Sequence, residues 1–93
     1  MEKKIVKYLI KCGIRPNLKG FMYLHKAIEK TINNGNVLPS VTKEVYPAIA
    51  REFNDSASKV ERAIRHAIKT SYNHAYMTNG EFIANAVIDL NVR

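Results

Sequence analysis

The segment SASKVERAIRHAIKT, residues 56–70, has its apolar residues at the spacing of one face of an α-helix. At about 100° per residue, the apolar side chains between Val60 and Ile68 fall within an arc of roughly 140°. Arg62, Arg65 and Lys69 lie within about 60° on the opposite side. One face of this helix is therefore suited to burial, and the other to solvent or to a negatively charged partner.

The remaining segments repeat this helical spacing and are separated by glycine, proline or polar turns. Further helices are predicted to end at Gly13, to span about 20–33, to follow Pro47 and to begin at Thr78. Thr78 and Glu81 have the spacing of a capping box. No segment alternates apolar and polar residues for long enough to form a sheet. The sequence therefore predicts an all-α fold, a small helical bundle of about five helices containing a helix-turn-helix.

Pro47 leaves the start of the third helix open, because proline removes a backbone hydrogen-bond donor. A short turn over 42–46 could precede a helix that begins at Pro47, or one longer helix could bend there. The first arrangement is favoured. This short helix, a polar turn at NDSA and the basic helix over about 56–72 then form a helix-turn-helix over about 47–72.

Length and charge restrict the classes of partner. The 93 residues are predicted to form one domain, 1–93, and the net charge of +7 favours nucleic acid or an acidic membrane surface. No apolar run reaches the roughly 18 residues of a membrane span, and the basic helix needs its apolar side for the core. The single cysteine, Cys12, fits a reducing cytoplasm. We therefore expect a cytoplasmic protein without a membrane partner.

The second helix of a helix-turn-helix enters the major groove of double-stranded DNA. Arginine there suits guanine, and a carboxylate suits the amino group of cytosine. Glu61 and Arg62 lie in the first turns of the basic helix and are predicted to reach base edges. Four further side chains would divide between bases and phosphates: Lys59, Arg65, His66 and Lys69.

A purely structural interpretation of the same helix stays open. Its arginines and lysines could form a solvated face, and Ser58 with Glu61 also fits a capping box. Positive charge is moreover concentrated elsewhere, because residues 1–51 carry ten basic and three acidic side chains whereas residues 52–93 carry five of each. The lysines of the first half could contact phosphates or keep the domain soluble.

Four segments, KGFMYLHKAI, VTKEVYPAIAREFN, SASKVERAIRHAI and TNGEFIA, resemble the C-terminal DNA-binding effector domain of stage zero sporulation protein A, a response regulator of endospore-forming Firmicutes. The resemblance covers about residues 5–90 in order. It implies an all-helical domain that binds a short element similar to TGTCGAA, often in tandem copies, and thereby activates or represses transcription. By position it implies a groove-facing set of Lys59, Glu61, Arg62 and Arg65, and phosphate contacts from Ser58 and His66. Lys69, on the same charged face, is a further phosphate candidate.

Two departures from the family pattern limit this transfer. The family usually has a longer connection before the TN-EFIA helix, with a helical segment that helps to contact RNA polymerase, whereas here about NHAYM joins the two helices. RNA polymerase contact is therefore doubtful, and a homodimer or tandem binding on DNA stays open. The sequence contains no receiver domain, so it is either an excised effector domain or a stand-alone homologue. A stand-alone copy could compete with a full-length regulator without activating transcription.

No residue pattern supports catalysis, a metal site or a cofactor. The histidines and Cys12 lack ligand spacing, and helix capping explains Asp55 and Ser56 better than a hydrolase triad does. Core packing is favoured over stacking on bases for the tyrosines, which are Tyr8, Tyr23, Tyr46, Tyr72 and Tyr76. The alternative function is a protein-interaction module that binds a regulator or a polymerase subunit through the basic surface.

Overall fold

The computed structural model describes residues 2–34, 44–72 and 74–92, and within these ranges the chain forms five α-helices and no β-strand. The helices are α1 (Glu2–Lys11), α2 (Lys19–Asn33), α3 (Tyr46–Glu52), α4 (Ala57–Lys69) and α5 (Asn79–Val92). The prediction of a small all-α bundle is confirmed. In the described parts of the chain, none of the helices has the length and hydrophobicity needed to cross a membrane.

α2 is the central helix of the bundle and packs against each of the other four helices. α4 packs against α2, α3 and α5, whereas the main neighbours of α1 are α2 and α5. One hydrophobic core receives side chains from every helix, and its fully buried members include Ile5, Leu9, Leu24, Ile28, Ile49, Ile64, Ile68 and Ile83. Burial of the apolar face of α4 in this core leaves its charged face for solvent.

α2 and α4 cross at Gly20, where the absence of a side chain lets the two backbones approach closely. A Cβ atom at this position would overlap the carbonyl oxygen of Ala63 and lie 2.6 Å from the Cβ atom of Ala67. Such approaches are far inside van der Waals contact, and the obstacle is largely backbone that cannot rotate away. Gly20 is therefore required by the packing of α4 against the central helix.

The predicted signals at two helix termini are confirmed. Gly13 follows α1 with a φ of +87°, in the left-handed region that favours glycine. At the start of α5, the Thr78 hydroxyl accepts from the Glu81 N–H at 3.2 Å, and the Glu81 carboxylate accepts from the Thr78 N–H at 2.9 Å. This reciprocal pair is the capping box. The hydrogen bond from the Thr78 backbone holds the pKa of Glu81 below its usual value.

Two predicted helix boundaries differ from the structure. α3 begins at Tyr46, so Pro47 is its second residue, and residues 42 and 43 of the predicted preceding turn lie outside the described residues. α4 ends at Lys69 instead of Tyr72. The Thr70 hydroxyl donates to the Ala67 carbonyl at 3.0 Å and the Ser71 hydroxyl donates to the Ile68 carbonyl at 2.7 Å. These bonds occupy carbonyls that the last turn leaves without helical partners.

The prediction of core packing is wrong for two of the five tyrosines. Tyr23 and Tyr46 are buried and Tyr8 is partly buried, but Tyr72 and Tyr76 are 95% and 83% exposed. Both exposed tyrosines lie in the connection between α4 and α5, where the helical periodicity that carries apolar residues into the core has ended. Their apolar surface is therefore presented to solvent beside the charged helix.

Gly20→Ala is expected to destabilise the domain by about 1–3 kcal/mol, because the added methyl group overlaps the backbone of α4. Helix propensity alone predicts the opposite sign, a stabilisation of up to about 1 kcal/mol. Urea denaturation followed by circular dichroism measures which effect dominates. A variant at least as stable as the wild type would contradict the close crossing of α2 and α4.

Candidate nucleic-acid interface

The turn between α3 and α4 has a defined backbone structure. Asn54 adopts a φ of 53°, and the N–H of Asp55 donates to the Ala50 carbonyl at 2.8 Å. This six-residue hydrogen-bonded loop is a Schellman motif, and asparagine tolerates its left-handed position better than most residues do. Residues 53–56 thus end α3 and redirect the chain into α4.

Asp55 ties this turn to the central helix. Its carboxylate accepts from the Tyr23 hydroxyl at 2.6 Å and from the Ser56 N–H at 2.9 Å. These two hydrogen bonds hold the pKa of Asp55 below its usual value, and the bond from Tyr23 has the larger effect. Burial, together with the bond to Asp55, raises the pKa of Tyr23 to about 12. The start of α4 is therefore fixed relative to α2.

Ser56 is the N-cap of α4, because its hydroxyl accepts from the Lys59 backbone N–H at 3.2 Å. Ser58 lies inside the first turn of the helix, so the alternative in which Ser58 and Glu61 form the capping box is wrong. The Glu61 carboxylate instead forms an ion pair with Arg65 at 3.2 Å. Helix capping therefore does not explain the carboxylate on this helix.

The structure places every predicted site residue on the side of α4 that faces away from the core. Glu61 is partly buried, and the other members are exposed: Ser58, Lys59, Arg62, Arg65, His66 and Lys69. At about 100° per residue, Arg62 and Lys69 lie near the middle of this face. Glu61 and Arg65 form one edge, and Lys59 and His66 form the other. We call this surface the α4 face.

The side chains of the α4 face are held by few internal contacts. The Arg62 guanidinium donates from Nε and Nη2 to the carbonyl and hydroxyl oxygens of Ser58, each at 3.4 Å. In the described parts of the chain, the side chains of Lys59, His66 and Lys69 form no hydrogen bond or ion pair. Exposed ion pairs such as Glu61–Arg65 contribute only about 0.2–1 kcal/mol. These side chains can therefore give up their weak contacts with solvent or with neighbouring residues and bind an external acceptor at low cost.

A groove runs along the Glu61–Arg65 edge, between α4 and the beginning of α5. Asn79, the first residue of α5, lies in this groove and donates from its side-chain nitrogen to the Tyr46 hydroxyl at 2.8 Å. The same nitrogen donates to the Glu61 carbonyl at 3.2 Å. The contacts of Asn79 with Tyr46 and Glu61 could not be predicted from the sequence, because no local spacing signals a contact between residues so far apart in the chain.

A family model described as "Sporulation initiation factor Spo0A C terminal" matches residues 5–90 of the chain. The match includes all of α2, α3 and α4, most of α1 and α5, and every residue of the α4 face. It therefore covers the residues that sequence analysis singled out, and not only the scaffold that supports them.

Ser56→Ala is expected to lower the free energy of unfolding by about 0.5–2 kcal/mol, because the first turn of α4 loses its cap. Ser58→Ala is the matched control and should change it by no more than about 0.5 kcal/mol, since this hydroxyl caps nothing. Both values come from urea denaturation. Equal losses, or a larger loss for Ser58→Ala, would reject the assignment of the cap.

The Tyr23–Asp55 bond should affect stability at both ends of the pH range. A lowered pKa for Asp55 contributes stability above its ordinary value of about 4, and this is lost as the pH falls through the folded-state pKa. A raised pKa for Tyr23 contributes stability below its ordinary value of 10.0, and this is lost as the pH rises toward about 12.

Tyr23→Phe is therefore expected to make the dependence of stability on pH less steep in both ranges. Other carboxylates with lowered pKa values, such as Glu52, keep part of the acid dependence. Tyr72→Phe, at an exposed position, is the control and should leave the curve unchanged. The measurement is the urea midpoint as a function of pH. A Tyr23→Phe curve parallel to that of the wild type would refute the coupling.

Proposed function

The chain belongs to the family of Spo0A C-terminal domains, DNA-binding domains of sporulation transcription regulators, and we propose that it reads a specific DNA sequence through α4. The observation that carries this proposal is the α4 face itself. Its arginines, lysines and single carboxylate project from one side of a helix whose start is fixed by Ser56 and Asp55. A rigid helix with mobile donors on one face suits sequence reading in the major groove.

The geometry of α4 suits the major groove. Its 13 residues span about 20 Å, and the groove is about 12 Å wide, enough for one helix. Arg62 at the middle of the face is the principal base contact, since a guanidinium can donate two hydrogen bonds to guanine. Lys59, Glu61 and Arg65 complete the base-reading set, and Ser58, His66 and Lys69 contact phosphates.

The Glu61–Arg65 pair fits an element similar to TGTCGAA, which contains adjacent cytosine and guanine. A carboxylate accepts from the amino group of cytosine, and an arginine donates to guanine. In the free protein the two side chains neutralise each other at 3.2 Å. On DNA the Glu61 carboxylate and the Arg65 guanidinium each replace this ion pair with hydrogen bonds to a base edge. Neither charged group is therefore left without a partner when the ion pair opens.

The lysines outside α4 contribute attraction without sequence preference. Lys3, Lys4, Lys7 and Lys11 are exposed on α1, which packs against α2 and α5. The net charge of +7 raises the rate of encounter with any polyanion. Such contacts weaken steeply as salt increases. With DNA as its ligand, the protein acts in the cytoplasm of the bacterial cell.

A second candidate function is interaction with an acidic protein through α1. A groove between α1 and α5 is lined by the side chains of Lys4, Lys7 and Lys11 together with those of Tyr8 and Leu90. This combination of charge and apolar surface is what an acidic amphipathic segment would require. In that case, changing these lysines to glutamine would abolish capture of the partner, and Arg62→Ala would have no effect on it.

Arg62→Ala is expected to cost about 1–3 kcal/mol of binding to a TGTCGAA-type duplex and little on a scrambled duplex, because a base contact is lost. Lys3→Ala, on α1, should weaken binding to both duplexes equally and reduce the dependence on salt. Fluorescence anisotropy titrations of both duplexes at two salt concentrations measure each quantity.

Equal and steeply salt-dependent binding of the wild-type protein to the two duplexes would contradict reading of this element. A loss for Arg62→Ala that is the same on both duplexes would reduce Arg62 to a phosphate contact. A cognate preference that Lys3→Ala removes would show that α1, and not α4, reads the sequence.

A further inference from the structure

We propose that Asn79 and Tyr46 are positioning residues for DNA reading, which hold the Glu61–Arg65 edge of α4 at a fixed distance from α3 and α5. The two hydrogen bonds from the Asn79 side-chain nitrogen, to the Tyr46 hydroxyl and to the Glu61 carbonyl, are called the Asn79 bridge below. The inference rests on the proposed function, because it names residues that make the α4 face specific without touching DNA.

The Asn79 bridge joins three helices at one atom. Tyr46 begins α3, Glu61 lies in the second turn of α4, and Asn79 begins α5. The bonds of 2.8 and 3.2 Å are within the ordinary range for N–H···O contacts. Because the second bond reaches the backbone of Glu61, it restrains the helix itself and leaves the Glu61 carboxylate available to Arg65.

Burial of Tyr46 makes its hydrogen bond to Asn79 costly to break. The Tyr46 ring is buried, and burial raises the pKa of its hydroxyl while the hydrogen bond from Asn79 acts in the opposite direction. A buried hydroxyl without a hydrogen-bonding partner is unfavourable, and the Asn79 amide supplies one. The Glu61 carbonyl accepts from the same amide in addition to the helical N–H of Arg65. Burial of Tyr46 therefore favours the position of Asn79 seen in the structure, and the bond to the Glu61 carbonyl adds to this preference.

Asn79 is held in place by its neighbours at the beginning of α5. The capping box of Thr78 and Glu81 sets the first turn of α5, and the side chain of Phe82 is buried in the core. The side-chain amide thus starts from a rigid support. Because the bridge connects α4 to a rigidly held residue, its loss should move the Glu61–Arg65 edge. The opposite edge, formed by Lys59 and His66, should be less affected.

The effect on binding should be selective. Contacts to bases require correct placement, whereas attraction to phosphates depends mainly on charge. Asn79 and Tyr46 carry no charge, so their removal leaves the electrostatic contribution unchanged. Loss of the bridge should therefore reduce cognate affinity and preserve non-specific affinity, a pattern that general loss of stability does not produce at temperatures where every variant is folded.

The test measures the affinity of Asn79→Ala, Tyr46→Phe and the double variant for a TGTCGAA-type duplex and a scrambled duplex. Asn79→Ala is expected to lose about tenfold in cognate affinity and less than about twofold on the scrambled duplex. Tyr46→Phe should lose less in the same direction, because the bond to Glu61 persists. The double variant should resemble Asn79→Ala, since the two changes remove a shared bond.

Ile83→Val is the matched control, because it weakens the core of the same helix without touching the bridge. It should lower the melting temperature and leave the ratio of cognate to scrambled affinity unchanged. Amide chemical shifts of the free proteins give a readout independent of DNA. Asn79→Ala should shift the amides of Glu61 to Arg65 more than Ile83→Val does.

The outcomes separate this inference from the proposed function. A wild-type protein without cognate preference would contradict reading of this element and, with it, the role of the bridge in that reading. A wild-type protein with that preference would refute the bridge alone if Asn79→Ala retained the ratio of the two affinities. An equal loss on both duplexes, or a ratio lowered as much by Ile83→Val, would also overturn it.

Discussion

The close crossing of α2 and α4 at Gly20 is the contact on which the rest of the structure depends. It sets Ala63 and Ala67 of α4 against the central helix and thereby determines which side of α4 is buried. Because a helix exposes the side that it does not bury, the same contact turns Arg62 outward. Tyr23, about one turn farther along α2, then fixes the beginning of α4 through Asp55.

The backbone of α4 is held by contacts with neighbouring helices, and its charged face is exposed to solvent. The Tyr23–Asp55 bond ties the turn before α4 to α2, and the Asn79 bridge ties the second turn of α4 to α5. The face between these supports has only exposed side-chain contacts, which are weak. A rigid backbone with exchangeable side chains is the arrangement that a sequence-reading helix needs, since it limits the ordering cost of binding without occupying the donors.

Helical periodicity was sufficient to predict the five helices, because each buries one face in a common core. Local side-chain chemistry likewise predicted the Thr78–Glu81 capping box and the glycine that follows α1, Gly13. The N-cap of α4 could not be assigned from the sequence, because Ser56 and Ser58 lie within one turn and both fit a capping pattern. The exposure of Tyr72 and Tyr76 was mispredicted, since an apolar ring signals the core only where periodicity continues. The Asn79 bridge depends on how three helices pack, and no local pattern encodes that.

We propose that the α4 face, and not the lysines of α1, meets the bases of DNA. The most direct test is to map amide and side-chain chemical-shift changes in isotope-labelled protein on addition of a TGTCGAA-type duplex. The largest changes are expected on Ser58 to Lys69, with the Arg62 guanidinium signal among them and with small changes on α1. Changes concentrated on Lys3 to Lys11, with α4 unaffected, would contradict it.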